Sequence, residues 1–481
     1  MKDRAPPNAG CAEDFDPGPA GWAHALLSDL GLAADAEPCG MDVTGRDPVL
    51  PTRFRVGEAA AAVLLAVGAA SDALWRLRGG GPQRLAVDVR AAAASLVSFL
   101  LCRAPGLSLV RAAPATVALY RTREGGWVHL HGGFPELHTG TLALLGCSDD
   151  AASIARAVSA WDAQALENAL AERRLCGARL RSALEWGAHP QGRALAAVPL
   201  VEIVRIGDAD PRPLPGPTAR APGARPLSGL RALDLTRVLA GPTCARTLAE
   251  HGAEVLHVRS PRLPSIEPFV IDTNPGKRSC HLDLDVAFDA DCLRSLVAGA
   301  DVFSQSYRPG ALERRGFGPG DLARMHPGIV VVSIDCYGHE GPWAARAGWE
   351  QLAQTVTGMA HEHGGTESAS IVPAAVNDYV TGNLAALGVL AALERRTREG
   401  GSWHVRVSLA RTSSWILSLP RTPDNAIPSG LDASVLAAHE IVMDTAWGRL
   451  SRLGPVLRMS ETPPGWTLPP APLGSDLPRW A

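Results

Sequence analysis

The sequence has little of what several functional classes require. Its nine cysteines, Cys11, Cys39, Cys102, Cys147, Cys176, Cys244, Cys280, Cys292 and Cys336, include no C-x-x-C pair and no tight Cys/His cluster. Zinc needs such a cluster, so no metal site is expected, and the thiols read as reduced cysteines of a cytoplasmic protein. There is no basic excess either: 46 Lys and Arg stand against 49 Asp and Glu. The phosphate-neutralising surface of a nucleic-acid binder is therefore not expected. The longest apolar run, "AAAAVLLAVGAA" at 59–70, is short and built of small residues, so it reads as a buried helix and not as a membrane span. The start of the chain carries acids and prolines without an apolar core, which suggests a flexible arm over 1–50 and not a secretory signal.

What is present is a large globular chain. Over 481 residues, 46% are apolar and 20% charged, enough for two or three cores. The Pro/Gly-rich run "DADPRPLPGPTARAPGARPLSG" begins at 208. Proline removes backbone donors and disfavours helix, so residues 208–227 form an interdomain linker. Beyond it, "LRALDLTRVLAGPTCARTLAEHGAEVLHVRS" (230–260) reads as strand, tight loop at Gly241-Pro242, helix and strand. "LRSLVAGADVFSQSY" and "LARMHPGIVVVSIDCYG" repeat that rhythm. Continuous Val/Ile runs suit strands covered on both faces, so an α/β fold with a Rossmann-like open parallel sheet is expected over 228–420, with a smaller second domain.

A repeat lies across the two halves. Residues 57–99 and 382–419 share one plan: glycine, Ala-rich helix, basic end, Gly-rich turn, alternating strand, second helix. Superposing Gly57 on Gly382 sets Arg53 opposite Asp378, so only the second copy carries an acid there. Within "VNDYVTGNLAALGVLAAL" (376–393), Asp378 has two readings. It is a helix cap, a role Asp favours and for which Thr381 competes, or it is a reacting carboxylate.

The motifs "LRALDLTRVLAGPTCARTLAEHGAEVLHVRSP", "NPGKRSCHLDL", "SYRPGALERRGFG", "HPGIVVVSIDCYGHEGP" and "VNDYVTGNLAALGVLAAL" occur in this order over 227–419. Together they resemble the class III (CaiB/BaiF-like) CoA-transferases, which include formyl-CoA transferase and the α-methylacyl-CoA racemases. Residues 51–207 resemble that family's helix hairpin, second domain and return segment, in a rearranged order, and 421–481 resembles its extended terminal segment.

The resemblance implies that Asp378 attacks an acyl-CoA thioester, forming an aspartyl-acyl anhydride from which CoA passes to a carboxylic acid. It implies Glu350 beside the nucleophile and Trp349 near the substrate, where the racemases have a histidine base that tryptophan cannot replace. It implies coenzyme A, bound as acyl-CoA, at Val238, Leu239, Lys277, Arg278, Arg308 and Arg314. The family's "Glu-Arg-Pro-Gly" is "VRSPRLP" here, with Ser260 at the arginine position, so Arg259 or Arg262 would substitute. A homodimer is implied, with neither a nucleic-acid nor a membrane partner. An acyl-CoA racemase or isomerase, and a CoA-binding paralogue without catalysis, are the other readings. His339, His361 and His363 are the nearby titratable groups, "HEH" reading as a solvated loop; "HGG" at 131–133 reads as a turn signal.

Overall fold

A computed structural model describes residues 16–32, 38–107, 113–365, 367–423 and 426–481. Its centre is a seven-stranded sheet, ordered Glu202–Gly207, Ser402–Ser408, Val330–Asp335, Val302–Gln305, Arg231–Leu235, Glu254–Arg259 and Lys277–His281. Six strands are parallel, and Glu202–Gly207 closes one edge antiparallel to Ser402–Ser408. Runs such as Val330–Asp335 are buried along almost their whole length, as strands with helices on both faces must be. From Arg231–Leu235 the order runs outward in both directions. Ligands of such sheets bind beyond the carboxyl ends of the strands where the order reverses, here between Arg231–Leu235 and Val302–Gln305.

A second unit is a three-stranded antiparallel sheet, Val117–Arg121, Trp127–His131 and Gly177–Arg179. It has a core of its own, including Val128, Leu130, Ile154, Leu166 and Leu170. The buried Arg181–Glu167 pair, at 2.6 Å, fixes Arg181 within this unit, and the Arg181 amide, which donates to the Thr355 carbonyl, joins it to the sheet domain.

Each of the two segments forms a long helix, a strand and a second helix: Val56–Leu77, Arg84–Asp88 and Val89–Ser95 in the first, Val376–Glu399, Ser402–Ser408 and Leu409–Ser418 in the second. The two long helices pack on each other within the main core. Both are long and apolar enough to cross a membrane, and both are buried inside the protein, so the small-residue run is a core helix. The second long helix also crosses the Ala240–Glu250 helix. A Cβ on Gly382 would stand 2.4 Å from the Ala240 carbonyl oxygen, so glycine is needed for this approach.

Two expectations need correction. Residues 1–15 of the arm lie outside the described residues, but the remainder is structured: Gly18–Asp29 is a helix with Trp22, Leu26 and Leu27 buried, and Gly40–Thr44 pairs in parallel with Arg84–Asp88. The C-terminal segment is extended only at its end. It first forms the helix Ala433–His439 and the hairpin Glu440–Thr445/Gly448–Leu453. Its last stretch then lies along the sheet domain: the Gly276 amide donates to the Leu468 carbonyl, the Asp476 amide to that of Ser279, and the Trp480 indole to that of Leu296. The linker holds no helix or strand over 208–230 and is pinned by Arg78, which donates to the carbonyls of Pro217, Pro226 and Ser228.

Candidate active site

Asp378 is the third residue of the Val376–Glu399 helix and only 7% exposed. Neither cap reading holds. The N-cap position is Ala375, no side chain caps it, and Thr381 lies inside the helix, bonded to Thr412. Among the described residues, no hydrogen bond to the Asp378 carboxyl is present. Asp378 shares a helix face with Gly382, four residues on, and so faces the start of the Ala240–Glu250 helix. Burial pushes its pKa up to about 7.

Glu350 opens the Glu350–Thr357 helix and is buried. Its Oε1 accepts from Gln354 Nε2 at 2.8 Å, Asn377 Nδ2 at 3.1 Å and the Asn377 amide at 3.2 Å. Burial, followed by the charge of Asp378, pushes its pKa up to about 8. Two carboxyls in one dry site resist ionising together and titrate as a pair. The donors around Glu350 favour its charged form and hold it still; Asp378 lacks such restraint. The helix N-terminus at Asp378 offers the ionised carboxylate about 0.3–1 kcal/mol.

Trp349 immediately precedes Glu350 and is sandwiched by two rings from the second domain. His131 stacks on it at 5.3 Å and Phe134 at 5.2 Å. The "HGG" turn is what makes this possible, since a Cβ on Gly132 would meet Thr116 Oγ1 at 2.3 Å. The turn is therefore a site element, and only the chain's return through Gly177–Arg179 brings it there.

Beside this lies a cleft lined by Arg237, Val238, His257, Arg259, Phe134 and Phe269. Val238 has φ +70°, a strained conformation for a β-branched residue, and leads through Leu239 into the Ala240–Glu250 helix. Arg259 is buried and donates to the Thr236 carbonyl at 3.0 Å, and Arg237 donates to that of Pro264. The Nε of each is buried without a partner, and among the described residues neither guanidinium pairs with a carboxylate. Burial pulls both pKa values down, and the two cations oppose each other at Arg237. Such a pair is suited to an anionic group.

The other candidate cations lie elsewhere. Arg262 is taken by Asp283 and Asp285, so of the two substitutes Arg259 is the one that lines the cleft. Lys277 is fully buried, its Nζ donating to Asp234 Oδ2 and the Pro242 carbonyl, both at 2.8 Å. Its charge serves the interior and does not face a ligand. Arg278 binds Glu254 and the Arg479 carbonyl. Arg308 is exposed and donates to the Arg174 carbonyl, and Arg314 is exposed beside Gly310. His339 is held by Asp335 and the Val407 carbonyl, away from the carboxyl pair. No His/Cys/Asp/Glu group suited to a metal occurs among the described residues. Sequence reasoning missed Arg237, His257, His131 and Phe134. Arg237 follows a strand in a quoted motif and His257 stands two residues before Arg259 on one strand of it, so both could have been found; His131 and Phe134 depend on chain crossings that spacing does not reveal.

The model of CoA-transferase family III matches residues 227–427. An acetyl-coenzyme A transferase of Hypoxylon pulicicidum is 36% identical over 64% of this chain and 55% of its own length. The chain thus spans about half of that relative. An acyl-CoA transferase of Gibberella moniliformis is 31% identical over 74% of this chain and 72% of its own. Among solved structures, a CAIB/BAIF family protein of Brucella suis is 26% identical, with a TM-score of 0.38 over 47% of this chain and 65% of its own. With a family motif set running through the sheet domain and a relative matched over most of both chains, the protein belongs to CoA-transferase family III.

Proposed function

We propose that the protein transfers CoA from an acyl-CoA thioester to a carboxylic acid, with Asp378 as nucleophile. The observation that carries this reading is a buried carboxyl on the first turn of a helix, without a hydrogen bond among the described residues and beside a second, firmly held carboxyl. The relatives named as acetyl-CoA and acyl-CoA transferases support it.

In the first step, the ionised Asp378 oxygen attacks the thioester carbonyl; the C–S bond breaks, leaving an aspartyl-acyl anhydride and CoA thiolate. The thiolate then attacks the aspartyl carbonyl and expels the donor acid, giving an aspartyl-CoA thioester. An acceptor carboxylate attacks that thioester, re-forming an anhydride and thiolate. Attack of the thiolate on the acceptor carbonyl releases the new acyl-CoA and restores Asp378. Each step exchanges one acyl substituent for another and releases an anion, CoA thiolate or a carboxylate, with no change of oxidation state, so the cycle needs no redox partner. Glu350, one residue from the Trp349 stack and bonded to Asn377, holds the Asp378 turn in place and carries the pair's proton while Asp378 is charged. Arg237 and Arg259 receive anionic groups of CoA.

Hydroxylamine converts an aspartyl anhydride or thioester into a stable hydroxamate. Intact-mass and peptide analysis after incubation with a panel of acyl-CoAs is expected to show this adduct on Asp378 in the wild type and none in Asp378→Asn. CoA binding without any adduct would favour the binding paralogue, and exchange of the acyl α-proton with deuterated solvent would favour the isomerase.

A further inference from the structure

The arginine cleft and the carboxyl pair are linked by a continuous stack. The Arg237 guanidinium lies 4.9 Å from the centre of the Phe134 ring. Phe134 lies 5.2 Å from Trp349, with 29° between the planes, and Trp349 lies 5.3 Å from His131, with 20° between them. His131 Nε2 is 3.2 Å from Gln351 Oε1, so the stack grips the first turn of the Glu350–Thr357 helix at two successive points, Trp349 and Gln351. Glu350 lies between them and contacts both the amide and the side chain of Asn377, the residue before Asp378. Phe134 is the N-cap residue of the helix Pro135–Leu145, placed by Gly132 and Gly133, and belongs to the other domain.

We infer that Phe134 is a positioning residue that couples occupancy of the arginine cleft to the placement of Glu350 and Asp378. A guanidinium held on an aromatic face by cation–π attraction is redirected when an anion competes for it. Phe134 is the only ring between that guanidinium and Trp349 in the stack, and Trp349 is covalently continuous with Glu350. A ligand that engages Arg237 thus acts on the carboxyl pair through one ring. A displacement of about 1 Å at a reacting group costs on the order of 100-fold in rate.

This coupling rests on the proposed reaction for its catalytic consequence, but a readout independent of turnover exists. Free CoA is titrated into the full chain by calorimetry in two buffers of different ionisation enthalpy at pH 7.5, which measures the protons exchanged on binding. Exchange is expected in the wild type, because the carboxyl pair responds to the cleft. It is expected to shrink in Phe134→Leu, which fills the space without a ring, and to return in Phe134→Tyr. In parallel, trapping by hydroxylamine at saturating acyl-CoA is expected to slow about 100-fold in Phe134→Leu, with little change in the half-saturating concentration. Circular dichroism and melting verify that each variant is folded.

Proton exchange that is absent from the wild type, or unchanged in Phe134→Leu, overturns the coupling. So does a loss confined to half-saturation, which would make Phe134 a plain wall of the cleft. If the wild type shows ring-dependent proton exchange but no adduct with any donor, the coupling stands and the transferase reading falls.

Discussion

Replacing Asp378 with Asn is expected to stabilise the protein while abolishing adduct formation. The carboxyl is buried and unpaired, with a pKa near 7 against an ordinary 3.8. The folded-state value lies above the unfolded one, so the folded form is favoured at low pH, and the advantage is lost as pH rises until the folded pKa is passed. At 1.36 kcal/mol per pH unit, ionisation costs the folded state roughly 4 kcal/mol at pH 8 and under about 2 kcal/mol at pH 5. Asn is nearly isosteric and never charges. Removing the Asp378 charge also relieves Glu350, whose pKa it raises, so the gain at pH 8 is if anything larger. Loss of the favourable helix-terminus interaction offsets about 0.3–1 kcal/mol of it.

The informative quantity is thus the difference between the two pH values, about 2–3 kcal/mol. At about 2 °C per kcal/mol in a large domain, Asp378→Asn should raise the melting midpoint relative to wild type by roughly 5 °C more at pH 8 than at pH 5. Paired melts of both proteins at both pH values measure it. A stabilisation equal at pH 5 and pH 8, or larger at pH 5, would refute the claim that a strained carboxylate is stored at this position.

Glu350→Gln keeps the acceptor oxygen for Gln354 and Asn377 but can no longer exchange a proton. It should lower the turnover rate by about 10²–10⁴ and shift the acid limb of the pH–rate profile, measured with a saturating donor. Arg259→Met should raise the half-saturating acyl-CoA concentration by about one to two orders of magnitude, the worth of a charged hydrogen bond, with little change in maximal rate; calorimetry with CoA checks it. Lys277→Met should act on stability, since it leaves Asp234 buried and unpaired. A loss of about 3–5 kcal/mol in urea unfolding is expected, and a normal fold with weakened CoA binding would contradict that assignment.

Much of the sheet domain was legible because its evidence is local. Strand runs, the Gly241-Pro242 loop and the basic helix ends lie within short windows, and five motifs in order carry Asp378, with Glu350 in the interval between the last two. The cations were less legible. Lys277 sits in a motif, but whether a motif cation faces a ligand or a buried Asp234 depends on strand register: Lys277 aligns with Val255 and reaches across to Asp234. Phe134 and His131 were illegible as site residues because their partner, Trp349, is over two hundred residues away and is reached only by folding the second domain back. The helix Gly18–Asp29 was hidden by the acids and prolines before it, although its Trp22, Leu26 and Leu27 follow a helical spacing.

The repeat also explains why the chain has one acid and not two. Aligning Gly57 with Gly382 sets Arg53 opposite Asp378, but the helices do not start together. The first begins at Val56, one residue before its glycine; the second begins at Val376, six residues before its own. The first copy therefore lacks the helical turn that carries the acid as well as the acid itself. Arg53 instead lies in a bend ahead of the helix, its carbonyl accepting from both the amide and the hydroxyl of Thr422 at 2.9 Å, while Phe54 forms a bridge with Arg421 and is completely buried. A carboxylate there would stand two residues ahead of the helix N-cap, outside its first turn, and its neighbour Glu362 is already bound by Arg421. Arg53→Asp should consequently leave hydroxamate confined to Asp378, one adduct per chain by intact mass. A second adduct mapping to position 53 would mean that the acid alone was missing, and that the lost turn does not matter for the nucleophile.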